Sequence, residues 1–479
     1  MRAGHKPCSR CKNKHDIARI ENPINHMSNS RRKFIKNASL GTAALGMASL
    51  NISAKSYSRI LGSNNLVRVG IVGFSDRARN TLIPAFLQHS EELNFEFTGV
   101  SDIWKRRRNE GADYLKELTG YKVKAFENNE ALYDSKNVDA VMISTADFQH
   151  ALHTIEAVDA GCDAYVEKPL AETMEDNREV KKIVERSGRI IQIGSQRRSG
   201  SNYHAAYDFI QSGKFGPITM VEMSWNVNQP GRWRRPELVA DLRESDVDWK
   251  RYILNRPYES FDPRKYIEYR LFWPYSSGIP GQWMSHQIDT VHWFSGFSYP
   301  RSVSANGGIY AWHDGRTNFD TMTAVFDYGP SDDLNTGFQV VYSSRMHNSA
   351  GGVKEIYYSN GGELNLDTNQ VTPTGGLTEK YASSMGMEPN LLQEFSLVAE
   401  NVQASTDANT GADTMTSKHM RNWMECVRDR NKETNAPIRA GYYHSVANIM
   451  VTAALRTGKK VTFNEEAGVV LAGENTFKY

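Results

Sequence analysis

The chain has 479 residues, of which 39% are hydrophobic and 23% charged, with a formal net charge of only +2. That length exceeds one typical domain and carries material for two domains with sizeable cores. The near-neutral balance, with lysines and arginines dispersed, excludes an electrostatic case for nucleic acid as a main partner. The basic runs Lys105 to Arg108 and Arg232 to Arg235 are short and read as solvated faces.

Residues 1–57 read as an extension that stands outside the fold. Ser30-Arg31-Arg32-Lys33-Phe34-Ile35-Lys36 matches a twin-arginine export signal, and a weakly apolar stretch from Asn37 to Ala54 follows it. The stretch is too short and polar for a membrane span, which needs about 20 strongly apolar residues. The expectation is a periplasmic or otherwise extracytoplasmic protein, delivered by the export machinery, with no stable membrane span. Upstream, His5, Cys8, Cys11 and His15 have spacings that zinc could use, but a start at Met27 is the simpler account, and no metal site is expected. The mature part keeps Cys162 and Cys426, too few for a disulfide framework.

From residue 66 a strand, turn and helix pattern repeats. Strands are expected at 66–73, 95–102, 138–145, 163–169 and 189–195, with helices at 81–90 and 150–161. Alternating βα units imply a parallel sheet covered on both faces, so residues 66–198 form a Rossmann dinucleotide-binding domain of the α/β class. After about residue 215 the strands at 217–227, 302–312, 321–329, 336–344 and 354–366 are separated by Gly and Asp turns. They predict an α+β substrate and oligomerisation domain, residues 215–372, built on a mainly antiparallel open sheet. Residues 373–413 read as a loop or arm, and 414–479 as C-terminal helices, at 417–430 and 444–458, completing the fold.

The turn Gly73-Phe74-Ser75-Asp76-Arg77-Ala78 stands where a dinucleotide fold places G-x-G-x-x-G/A. Only the first glycine is kept. Asp102, at the end of the second strand, is placed to hold the ribose hydroxyls, which favours NAD over NADP because an acid repels a 2′-phosphate. Arg106 to Arg108 keep NADP open.

The sequence resembles the Gfo/Idh/MocA family (glucose-fructose oxidoreductase and inositol dehydrogenase) from residue 66 to its end. The likeness rests on VRVGIVGF (67–74), STADFQH (144–150), GCDAYVEKPLA (161–171), IGSQRR (193–198), DVDWKRYI (246–253), SHQID (285–289) and HMRNWMECVRDR (419–430). It implies that Ser144, Thr145, His150 and Gln196 line the cofactor, that Glu167 and Lys168 sit near the nicotinamide, and that the Lys168–Pro169 bond is cis. Ala146 stands where the family usually has proline. The family also supplies an aspartate four residues before a histidine that reaches the substrate hydroxyl. Here the histidine is His286, and the aspartate's position holds Gln282.

Hydride transfer from a sugar carbinol needs a base for the hydroxyl proton, and Lys168 and His286 are the candidates. At about 100° per residue, Gln282, His286, Asp289 and Trp293 share one helical stripe while His292 points away, which weakens a metal reading of the two histidines. Asp289 is expected to orient His286 or bind substrate. Trp225, Trp249, Tyr269, Arg270, Trp273 and Trp283 offer the flat faces and forked donors of carbohydrate pockets. Three functions remain open. The first is an exported oxidoreductase acting on a sugar or glycoside with a tightly bound NAD (NADP possible). The second is a redox-neutral NAD-dependent glycosidase, and the third a non-catalytic sugar- or nucleotide-binding protein. A homo-oligomer is expected from the open sheet.

Overall fold

The computed structural model describes residues 66–398 and 413–478. The arginine-pair segment and the upstream His and Cys residues lie outside the described residues. Strands β1 (Val67–Val72), β2 (Phe95–Ser101), β3 (Lys124–Phe126), β4 (Ala140–Ile143), β5 (Asp163–Val166) and β6 (Ile191–Ile193) form one parallel sheet in the order β3-β2-β1-β4-β5-β6. Its strands are almost uniformly buried because helices cover both faces, among them α1 (Lys105–Thr119), α2 (His150–Asp159) and α3 (Met174–Ser187). The strand order reverses between β1 and β4, which opens a crevice at their carboxyl ends, the usual ligand position in such sheets.

Each of these strands after the third ends two or three residues before the apolar run does. Ser144-Thr145, Glu167-Lys168-Pro169 and Gly194-Ser195-Gln196 leave the ladder and line or adjoin the crevice. The first helical segment begins earlier than its apolar spacing predicts and contains a widened turn, Ala78–Leu82, ahead of Ile83–Leu87. Pro84 there has no N–H to give, and chains accommodate such a gap by a local change of helical pitch.

Beyond α4 (Ser201–Gln211), strands β7 (Met220–Asn226), β8 (Ser302–Gly308), β9 (Thr321–Tyr328), β10 (Phe338–Arg345), β11 (Val353–Ser359), β12 (Gly362–Asn365) and β13 (Gln370–Thr372) build a second sheet. Together with β14 (Phe395–Ser396), β15 (Val461–Asn464), β16 (Val469–Ala472) and β17 (Asn475–Thr476) it has 11 strands, antiparallel throughout except where β7 and β10 run parallel. Three boundaries differ from expectation. The run 354–366 is a hairpin, since Asn360-Gly361 turn β11 back onto β12. The expected arm is partly structured, with a helix at Glu379–Ser384 and β14 paired to β13. The C-terminal part contributes three sheet strands as well as helices.

Helix α5 (Ser285–Ser295) follows a π-helical turn, Pro280–Met284, and packs with α7 (Ile438–Thr457) on the second sheet. Nearly the whole length of α7 is buried, because it is wedged between that sheet and α3 of the first domain. Gly441 permits this approach: a Cβ there would come within 2.8 Å of Ile193. Helix α6 (Thr414–Arg428) returns to the first domain, where Met420, Trp423, Met424 and Val427 join the core beneath β1 and β2. The C-terminal helices therefore tie both domains together. Among the described residues no helix is long and apolar enough to cross a membrane.

Candidate active site

A cavity of about 940 Å³ runs from the carboxyl ends of β1, β2 and β4 to the start of α5. Small-molecule sites usually occupy about 300–1,000 Å³, so this one lies at the upper end, as a dinucleotide plus a second ligand requires. Gly73, Phe74, Ser75, Asp76, Arg77, Asp102, Ser144, Thr145, His150, Glu167, Lys168, Gln196, Gln282 and His286 all line it.

At the first end, Gly73 has φ of +82°, and a Cβ there would meet Thr145 at 2.6 Å, so the turn can close against β4 only without a side chain. Ser75, in place of the second glycine, is engaged by its neighbours: its hydroxyl lies 2.6 Å from that of Ser144 and accepts the Ala78 amide at 3.2 Å. The Asp102 carboxylate accepts the amides of Phe74 (3.0 Å) and Trp104 (2.8 Å), which joins the turn to the end of β2. Burial raises its pKa, against those two amides and the charges of Arg107 and Arg108. These donors and acceptors fit a dinucleotide: a tight turn with no large side chain, and a fixed carboxylate one strand away. Arg107, expected on a solvated face, lines the cavity and pairs with Asp76 at 3.1 Å.

Farther in, the Lys168–Pro169 bond is cis. Glu167 is buried among Arg77 (3.1 Å), the Tyr165 hydroxyl (3.1 Å) and the Gln196 amide (3.2 Å). Against the desolvation of burial, Arg77 and Lys168 hold its carboxyl below the usual range. The imidazole of His150 faces the carbonyls of Pro169 (2.7 Å) and Thr145 (3.2 Å), pinning the two loops together.

Lys168 donates to the backbone carbonyls of Gln282 (2.5 Å) and Gly281 (3.4 Å), so the lysine bridges the two domains. Burial brings its ammonium down to about 8, against the opposing charges of Glu167 and Asp147. His286 is 8% exposed, stacks on Trp225 and has an Nε2 without a protein partner. Burial, then Lys168 and Arg197, hold it well below its ordinary 6.5, so it is neutral near pH 7. Trp225, Trp233 and Trp283 form an aromatic wall beside it, with Trp225 and Trp283 stacked at 6.0 Å.

Asp289 does not belong to this wall. Its carboxylate forms a two-point ion pair with Arg198 (2.7 and 3.0 Å) and is 1% exposed, with His444 at 4.0 Å. The helical-wheel expectation fails within α5 itself: Asp289 stands three residues past His286, about 60° around the helix, and that offset takes its carboxylate to Arg198 and away from the cavity. Trp249 and Trp273 are also displaced, Trp249 into an aromatic cluster with Tyr252 and Tyr275, and Trp273 beside Phe477 and Arg456. His292 instead meets the hydroxyl of Tyr328 at 2.9 Å. Among the described residues no group of three or more His, Cys, Asp or Glu is placed to hold a metal.

Two contributions were not read from sequence. Arg232, Trp233 and Arg235 cover the cavity although their basic run looks like surface. Asp147, inside the motif 144–150, reaches across the domain boundary and accepts Gln282 Nε2 and Ser276 Oγ, both at 2.6 Å. Its place directly after Ala146 at the end of β4 was the available signal.

Residues 67–195 match the family described as the oxidoreductase family with an NAD-binding Rossmann fold. The chain is 30% identical over 197 residues to 1,5-anhydro-D-fructose reductase of Ensifer adhaerens, covering 39% of this chain and 56% of that one. It is 25% identical over 193 residues to inositol 2-dehydrogenase of Salmonella typhimurium, covering 40% and 55%. The matched stretch thus spans little more than half the length of these relatives. Among solved structures, levoglucosan dehydrogenase in complex with NADH and levoglucosan superposes with a TM-score of 0.59 at 13% identity, covering 83% of this chain and 99% of that one. The WlbA dehydrogenase of Bordetella pertussis, in complex with NADH and UDP-GlcNAcA, gives 0.58 at 18% identity, covering 83% and 99%. At these identities the likeness is one of fold, and it extends through both domains.

Proposed function

From the match of residues 67–195 to the oxidoreductase family with an NAD-binding Rossmann fold, we propose that the chain is a Gfo/Idh/MocA oxidoreductase and that it oxidises or reduces a sugar or glycoside at a secondary hydroxyl. The observation that carries the proposal is the position of Lys168 and His286 on one cavity with the dinucleotide turn and Asp102. When bound, NAD supplies a hydride acceptor. The turn Gly73–Arg77 would hold its diphosphate, Asp102 its ribose, and Ser144, Thr145 and His150 the inner half.

The chain's own groups supply the proton chemistry. Oxidation of a carbinol releases a hydride from carbon and a proton from oxygen, and the proton needs a base. Lys168, brought to about 8, is deprotonated in a useful fraction at neutral to mildly alkaline pH. Its two carbonyl contacts fix the nitrogen at the mouth of the π turn. Neutral His286, on the wall of the same cavity, can hydrogen-bond the same or the adjacent hydroxyl. The tryptophan wall offers apolar faces for a pyranose and keeps bulk water from the reacting atoms.

Three further features belong to this reading. The arginine pair at Arg31-Arg32 directs the protein to an extracytoplasmic compartment. The cofactor is held tightly through turnover there, since free NAD would be scarce. The outward face of the second sheet, where Thr323 and the exposed Val325 alternate with buried residues along β9, serves self-association. Fractionation of producing cells, cofactor retention after extensive dialysis and the mass in solution test these in turn. The activity itself is tested by following NADH fluorescence while purified protein meets a panel of sugars and methyl glycosides. Sugar-dependent NADH formation supports the reading; its absence across the panel, with NAD bound, sinks it.

A further inference from the structure

Resting on the sugar oxidoreductase reading above, one cation at the reacting end of the cavity, Arg270, forms no ion pair among the described residues. The cationic side chains lining that end include Arg77, Lys168, Arg197 and Arg270. Arg77 is paired with Glu167 and Arg197 with Glu355. Asp147 and Glu167 act on both Lys168 and Arg270, and Asp76 on Arg270 as well, yet none of them makes a direct ion pair with Arg270; burial and then Asp147 raise the carboxyl of neighbouring Glu172 to about 8. Arg270 lies over the ring of Tyr269 at 4.6 Å, and among the described residues its guanidinium makes a single hydrogen bond, from Nε to Gln282 Oε1 at 2.7 Å.

That bond sets the orientation of the guanidinium. The Gln282 amide donates Nε2 to Asp147 at 2.6 Å, which fixes its oxygen toward Arg270 Nε. Asp147 is held in turn by the Ser276 hydroxyl. An aspartate at position 282 would pair with Arg270 directly and neutralise it. A glutamine transmits only a hydrogen bond, since it carries no charge at neutral pH. The guanidinium therefore stays cationic beside Lys168 without a direct ion pair, and its terminal nitrogens are still available. Its planar fork matches a carboxylate in two-point fashion.

We propose that Arg270 receives a carboxylate on the substrate, and that this site takes a sugar acid rather than a neutral sugar. The carboxylate supplies the direct ion-pair partner that Arg270 lacks, and its pairing with Arg270 directs the neighbouring hydroxyls to Lys168 and His286. Asp147 and Gln282 act as positioning residues for Arg270.

The test compares D-glucuronate with D-glucose, and D-galacturonate with D-galactose, pairs that differ at carbon 6 alone. Wild-type protein loaded with NAD and the variant Arg270→Gln are examined by tryptophan fluorescence titration, reported by Trp225 and Trp283, and by NADH formation. Wild type is expected to bind at least one acid 50-fold or more tightly than its neutral counterpart. Arg270→Gln is expected to reduce that ratio at least 30-fold while NAD affinity stays within threefold, which also checks that the variant is folded. Equal handling of acid and neutral sugar by wild type overturns the inference. So does a loss of NAD affinity in Arg270→Gln with the ratio intact, which would assign the guanidinium to the cofactor. Acid binding that depends on Arg270 without oxidation of any sugar would keep the inference and sink the oxidoreductase reading. Oxidation of neutral sugars without acid preference would do the reverse, and no binding and no oxidation would sink both.

Discussion

The two walls of the cavity hold their polar groups by different means. On the parallel-sheet wall two of the lining groups, Asp102 and His150, are fixed by the backbone. Asp102 is fixed by two amides, and His150 faces two carbonyls. On the second-domain wall the decisive contacts join side chains far apart in sequence, Arg270 to Gln282 to Asp147, and His286 is left partly unpartnered. The first wall is set by strand ends and a tight turn, so it suits a ligand of fixed shape. The second is set by side-chain identity, so it determines which substrate reacts and at what pH. Lys168 belongs to the first by sequence and to the second by its contacts.

Substitutions can separate the two walls. The largest effect is expected at their junction: Lys168→Met removes the base and should lower kcat by about 10³-fold, within the range of general-base contributions, with NAD affinity nearly unchanged in fluorescence titration. An equal loss of NAD binding would move Lys168 into the cofactor wall. Asp289→Asn tests whether that carboxylate is outside the chemistry. Breaking its buried pair with Arg198 should reduce stability by about 3 kcal/mol, read by denaturant unfolding, while kcat/KM changes less than threefold. Asp102→Asn weakens the ribose contact on the backbone wall and should raise the Kd for NAD about tenfold, roughly 1.4 kcal/mol, with little change in kcat at saturating cofactor.

The smallest expected effect concerns pH. Lys168 must lose its proton to act as a base, so kcat/KM should rise with pH through about 8. The charge of Asp147 favours the ammonium, so Asp147→Asn should move that midpoint below 8. Glu167 acts on Lys168 in the same direction, while Arg270 and Arg77 oppose both, and these neighbours remain in the variant. An unchanged pH profile in Asp147→Asn would mean that the second wall does not tune the base.

This contrast also explains what could be read from the sequence. Gly73, Asp102, Ser144 and Lys168 were legible because a strand end followed by a turn is a local pattern, and a parallel sheet brings such ends together. Asp289 was misplaced because a shared helical stripe is broad: an offset of about 60° from His286 is enough to carry its carboxylate to Arg198. Trp249 and Trp273 were assigned by residue type alone, which cannot distinguish a core aromatic from a cavity wall. Asp147 went unassigned although it stands in a quoted motif, since its partner Gln282 is 135 residues away. The basic run Arg232 to Arg235 resembled surface because charge says nothing about what a segment covers. The strands β15 to β17 were passed over for a related reason, being short pieces after a long helix.

Mass analysis of products tests hydride chemistry at a sugar hydroxyl, with Lys168 as base, at its source. Purified protein carrying NAD would be mixed with methyl glycosides of neutral and acidic sugars. The expected product is an intact glycoside two hydrogens lighter, formed in step with NADH and abolished in Lys168→Met. Free sugar and methanol accumulating over many turnovers without net NADH would contradict it, and would assign the same cavity to redox-neutral glycoside cleavage.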